Sequence, residues 1–117
     1  MNGMLSLKNK FCSKPFEHFE VYPDGKVSLC CFSWLSHHAG KIDGNNSVKE
    51  VFNSDITKKI RTSIHDGSFK YCNHDLCPHI QNGSLPEKEK AEPRFKEIVD
   101  NKIIDDLSPK FYNLCYD

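Results

Sequence analysis

Four cysteines constrain this chain more than any other feature, because they fall as two pairs that the local sequence draws together. Cys12 and Cys30 have seventeen residues between them, and those residues read as a hairpin. Glu17-His18-Phe19-Glu20-Val21-Tyr22 alternates polar and apolar side chains, the pattern of a half-buried strand. Pro23-Asp24-Gly25-Lys26 is a turn, with proline presetting φ and Gly25 free to adopt positive φ. Val27-Ser28-Leu29-Cys30 resumes the alternation as the return strand, so strand pairing brings both thiols to one end. Cys72 and Cys77 share one short loop, Cys72-Asn73-His74-Asp75-Leu76-Cys77-Pro78.

Between the pairs the chain reads as helical. Gly40 to Asn46 is loop-like, and Ser47-Val48-Lys49-Glu50 then forms a capping box, with Val48, Val51 and Phe52 on one face. A second helix starts at Ser54 or Asp55, carries Ile56, Ile60 and Ile64 as an apolar stripe, and ends at Asp66-Gly67. Both stripes are read as core packing. Residues 81–92 look like a solvated linker, Pro93 opens a further helix with Phe95, Ile98 and Val99 aligned, and 109–117 reads as a strand with no partner. The expected fold is a small α+β domain, an N-terminal β-hairpin followed by helices, joined at a four-cysteine metal site. The expected organisation is a metal-binding domain over 11–80 and a linker, helix and strand over 81–117.

At 117 residues such a domain buries a modest share of its surface, and a metal is a common means of stabilising it. Sixteen basic residues balance sixteen acidic ones, which argues against nucleic acid or an anionic membrane as a partner. No apolar run spans a bilayer, and Met1 to Lys10 lacks the apolar core of a signal peptide. That points to the cytosol, where thiols stay reduced and grouped cysteines hold metals more often than disulfides. Cys12, Cys30, Cys72 and Cys77 therefore suit either tetrahedral zinc or a cubane iron–sulfur cluster. Neither pair has the two-residue gap usual in a zinc ribbon, which counts mildly against that arrangement.

The order of motifs resembles a known family. Cys12-Ser13-Lys14-Pro15-Phe16, then Tyr22-Pro23-Asp24-Gly25-Lys26-Val27-Ser28-Leu29-Cys30-Cys31, is similar to the opening of the SPASM domain and the shorter twitch domain. These are accessory modules of radical S-adenosylmethionine (radical SAM) enzymes. Gly40-Lys41-Ile42, the helix from Ser47 to Asn53 and Lys58-Lys59-Ile60-Arg61 follow the family order, so the resemblance covers about Phe11 to Pro78. It implies an auxiliary 4Fe-4S cluster bound by all four cysteines, used for electron transfer or for positioning a peptide or protein substrate. The partner it implies is a radical SAM core domain of the same parent chain. Further cysteines with C-x5-C-x3-C spacing, which a full SPASM domain carries, do not occur here, so the one-cluster arrangement fits better. The late pair is C-x4-C where C-x2-C is commoner. Residues 109–117 resemble the first strand of a truncated radical SAM domain and no C-x3-C-x2-C is present. The chain therefore reads as a non-catalytic accessory domain of a longer enzyme, unable by itself to cleave S-adenosylmethionine. A structural zinc module that mediates protein interaction is the alternative.

Other residues are assigned plainer roles. Cys31 and Cys115 are read as buried thiols, with Cys31 able to substitute for Cys30. His37 and His38 are read as solvated. His74 and His79 bracket the late pair, where supporting a ligating cysteine or lying at the surface is expected ahead of completing a Cys3His site. Pro15 and Phe16 are expected to shield the centre from water. Lys14, Lys26, Lys41 and Arg61 are expected either to offset the charge of the thiolates or to be exposed.

Overall fold

A computed structural model describes residues 7–30, 35 and 37–114. Cys31, Cys115 and the final residues of the expected last strand lie outside the described residues.

The hairpin forms as β1 (His18–Val21) and β2 (Lys26–Ser28), antiparallel with Glu20 opposite Ser28. Its turn closes through Tyr22 N–H to the Lys26 carbonyl and Gly25 N–H to the Tyr22 carbonyl, each 2.9 Å. The Asp24 carboxylate accepts from Lys26 N–H at 3.0 Å, and Gly25 takes φ +88°. A short helix, α1 (Lys14–Glu17), precedes β1 and takes up the first residue of the expected strand. Pro15 in the first turn of α1 favours that helical start.

Two strands join the hairpin from far along the chain. β3 (Gly40–Lys41) pairs antiparallel with β2, inside the segment expected as loop. The strand expected to lack a partner, β4 (Phe111–Leu114), runs parallel to β1, giving the sheet order β3-β2-β1-β4. Two-residue pairings and parallel pairings between distant segments leave no local periodicity, so neither partner could be read from the sequence.

The helices follow their sequence signals closely. In α2 (Val48–Phe52) the Ser47 and Glu50 side chains cap each other's backbone N–H groups. In α3 (Asp55–His65) Ser54 is the cap, and Ile60 and Ile64 are fully buried. After the 72–77 loop come α4 (Pro78–Gln81), a short 3-10 turn at Pro93–Phe95 and α5 (Lys96–Asn101). Residues 81–92 remain largely exposed but are tied down: Phe11 N–H bonds the Pro86 carbonyl and Lys88 N–H the Asn9 carbonyl.

Two apolar cores result. Phe19, Val27, Leu29, Val51, Phe52 and Ile60 pack between the sheet and the helices. Phe11, Phe16, Ile64, Phe69, Ile80 and Phe95 pack on the far side of α3. Cys72 and Leu107 touch both cores.

Gly67 ends α3 at φ +81°, and a Cβ there would stand 2.2 Å from the Lys8 Cα. Left-handed strain and the backbone clash together should make Gly67→Ala about 2–4 kcal/mol less stable. Urea unfolding of the two proteins measures it; equal midpoints would show that the chain at Lys8 does not lie against Gly67.

Candidate metal centre

Each cysteine is placed by a local device. Cys12 precedes α1, and the Lys14 N–H donates to its sulfur. Cys30 follows β2 and is buried in the first core. Cys72 lies on an isolated antiparallel bridge to Leu35. Asn73 folds the late loop: its side-chain oxygen accepts from Asp75 N–H at 3.0 Å and Leu76 N–H at 3.1 Å. Its carbonyl accepts from Cys77 N–H at 2.9 Å. This Asx turn carries the chain from Cys72 back to Cys77, which caps the proline-led α4 and is buried in the second core.

All four thiols line one narrow, apolar cavity between the two cores. Pro15, Leu35, Phe69, Ile80 and Leu85 complete most of its wall, with Lys14 and His79 at the same cavity. None of the four forms a disulfide. Among the described residues no group of three or more His, Cys, Asp and Glu side chains is drawn together closely enough to hold a metal ion as it stands. The four cysteines share one cavity, and the four-cysteine metal site expected from the sequence is not itself seen there.

Burial pushes the Cys12 and Cys72 thiols up to about 12, and repulsion from the neighbouring cysteines adds to the effect. At neutral pH these two thiols stay protonated. Gathering thiolates there requires a positive centre that displaces the protons, so metal binding would release protons and strengthen as pH rises. An all-sulfur donor set in an apolar wall fits an iron–sulfur group, whose ligands are thiolates and whose potential depends on exclusion of water.

The remaining candidates separate clearly. His74 Nε2 lies 2.9 Å from the Phe69 carbonyl, which occupies that ring nitrogen. His79 lies along the cavity wall with Nδ1 3.2 Å from Ser84 Oγ. His38 Nδ1 is 3.1 Å from Ser28 Oγ, and His37 packs edge-on against Tyr71. Pro15 touches the cavity, whereas Phe16 stacks with Phe11 and His65 inside the second core. Lys26 and Lys41 are exposed on the hairpin and β3.

Arg61 is neither exposed nor aimed at the thiols; it is fully buried. Nε donates to the Pro15 carbonyl at 2.8 Å and Nη2 to the Phe52 carbonyl at 2.8 Å. Nη1 donates to Asn53 Oδ1 at 2.7 Å and to the Ile104 carbonyl at 2.9 Å. Burial lowers its pKa to about 10, which leaves the charge intact at neutral pH. The sequence offered no signal for this, because a lysine-rich helix face conceals the one basic residue that turns inward. Nearby, Arg94 pairs with the buried carboxylate of Glu17, fastening the later chain to α1.

A wider cleft of about 230 Å3 adjoins the thiol cavity and shares Cys12, Lys14, His79 and Leu85 with it. The Cys12 side of the thiol cavity is therefore the side next to the open cleft. No helix among the described residues is long and apolar enough to cross a membrane.

Against known proteins, residues 12–79 match the SPASM family, described as an iron–sulfur cluster-binding domain. No curated protein and no solved structure matches the chain.

Proposed function

Because the chain belongs to the SPASM family of iron–sulfur cluster-binding domains, we propose that Cys12, Cys30, Cys72 and Cys77 together hold one 4Fe-4S cluster. In this reading the domain is the auxiliary module of a radical SAM enzyme, working beside a core domain of the same parent chain in the cytosol. The observation that carries the proposal is that the four thiols line one apolar cavity between two packed cores. The cluster would supply a one-electron couple.

The chain's own residues account for the rest. A four-iron cluster takes one thiolate at each corner, so its ligands stand farther apart than four that close on a single zinc. The Lys14 N–H at the Cys12 sulfur would remain as a donor to the bound thiolate, stabilising negative charge there. Pro15, Leu35, Phe69 and Ile80 form an apolar wall that would keep water from the cluster. With all four ligands supplied by protein, electron transfer is favoured over direct ligation of substrate. The open cleft beside Cys12 is the nearest approach for a reaction partner, including a peptide or protein substrate.

The test is anaerobic purification of the chain, followed by the visible spectrum and assays of iron, sulfide and zinc. A brown protein with about four irons and four sulfides per chain is the expected result. A colourless protein that keeps about one zinc after attempted reconstitution would replace this reading with a structural zinc module.

A further inference from the structure

The neutral composition of the chain conceals a strongly uneven distribution of charge along the outer face of α3. Two adjoining clefts, about 300 and 280 Å3, share Thr62, Asp66 and Ile104. Lys58, Lys59 and Lys70 line the first and Lys102 the second. Behind them Lys88 Nζ donates to the His65 carbonyl at 2.6 Å. Directly beneath, the buried guanidinium of Arg61 bonds the carbonyl of Ile104, which belongs to both clefts. Among the described residues Arg61 forms no direct ion pair, and Asp105 is the carboxylate whose charge it feels. The opposing charges are Asp66, within both clefts, and Asp105, which sits 3.6 Å from Lys58. The two clefts thus present four lysines around Asp66, with Lys88, the buried Arg61 and Asp105 close by, in a chain whose formal net charge is zero.

We propose that this double cleft is a docking site for an acidic polypeptide segment of a partner protein. Two clefts in series suit an extended segment, whose side chains on one face repeat at about 6–7 Å. The cations at the surface are lysines, compact point charges that accept single carboxylates, and no arginine fork is presented for bidentate phosphate binding. Asp66, central to both clefts, would repel the dense charge of a nucleic acid but can meet a lone basic side chain of a mixed peptide. Thr62 and Tyr71 add hydroxyl groups along the wall. Tyr71 also connects the cleft to the centre, since the next residue, Cys72, lines the thiol cavity. A partner held here would stand beside the Cys72 side of the centre, apart from the open cleft at Cys12.

The experiment uses the full chain and a fluorescein-labelled Glu-rich peptide, followed by fluorescence anisotropy at low and at near-physiological salt. A peptide with Gln for Glu and a single-stranded RNA of similar length are run alongside. The expected result is binding of the Glu-rich peptide alone, weakened by salt and reduced roughly tenfold or more in Lys59→Glu/Lys70→Glu. Lys26→Glu/Lys41→Glu, with the same charge change on the hairpin side, should bind as the parent does. Absence of peptide binding, equal loss in both double variants, or tighter binding of RNA would each overturn the proposal. Iron content and urea midpoint, measured on the same samples, report separately on the cluster and the fold.

Discussion

Serine at any one of Cys12, Cys30, Cys72 or Cys77 should reduce the iron retained after anaerobic reconstitution by about fivefold or more. A serine hydroxyl ionises far less readily than a thiol and is a poor donor to iron, so one corner of the cluster would be left to water. Replacements at Cys30 and Cys77 should be the most severe. Both are buried in the two cores, so the defect opens where solvent reaches least. Cys12 borders the open cleft, where an added thiol could restore part of the iron and colour in Cys12→Ser. Iron and sulfide assays with visible absorption decide the matter. Full iron in any of the four variants would remove that residue from the ligand set. Full iron in Cys30→Ser with loss in Cys31→Ser would move the ligand to the neighbouring position.

The stability of the same variants carries separate information. The thiol cavity lies where the two cores meet, so a group bound there joins the sheet side to the side formed by Phe11, Phe69 and Ile80. Metal binding to a site that the unfolded chain lacks adds its free energy to folding. The reconstituted parent should therefore unfold at higher urea than the iron-free protein. The serine variants should unfold near the iron-free protein, whatever their remaining colour.

The legible parts of this structure are those governed by short-range rules. The turn at Gly25, the reciprocal caps of Ser47 and Glu50, and the left-handed stop at Gly67 each follow from a few adjacent residues. The four cysteines were likewise legible as candidates, because their two local folds, the hairpin and the Asn73 turn, are written beside them. Their shared cavity depends on a longer contact, the bridge between Leu35 and Cys72, which no spacing announces. The pairings of β3 and β4 were hidden for the same reason. Burial of Arg61 was hidden by its neighbours: Lys58, Lys59 and Thr62 on the same helix are solvent-facing, and the three isoleucines already explained the buried side.

Arg61→Met should lower stability by about 3–5 kcal/mol, a large part of the roughly 5–15 kcal/mol that holds a domain of this size. The guanidinium holds three separate segments. It bonds the Pro15 carbonyl within α1, the Phe52 carbonyl and Asn53 side chain at the end of α2, and the Ile104 carbonyl that precedes β4. It also stacks 4.5 Å above the Phe52 ring, so its flat face packs while its edge donates. Methionine preserves much of the volume, but strands three buried or half-buried carbonyls and removes the shorter of two donors to the Asn53 side-chain oxygen. Lysine keeps the charge and reaches only part of the fan, so Arg61→Lys should recover some of the loss and remain folded at room temperature. Urea unfolding of both variants measures these values, and Arg61→Met within about 1 kcal/mol of the parent would show that the fan does not hold the segments together. The Lys variant also separates tethering from simple stability. It releases part of the bonding to α1, the helix that follows Cys12, so its iron should be lost to a chelator faster than that of a Gly67→Ala protein. Equal loss rates at equal stability would mean that Arg61 serves the fold alone and does not hold the Cys12 turn in place.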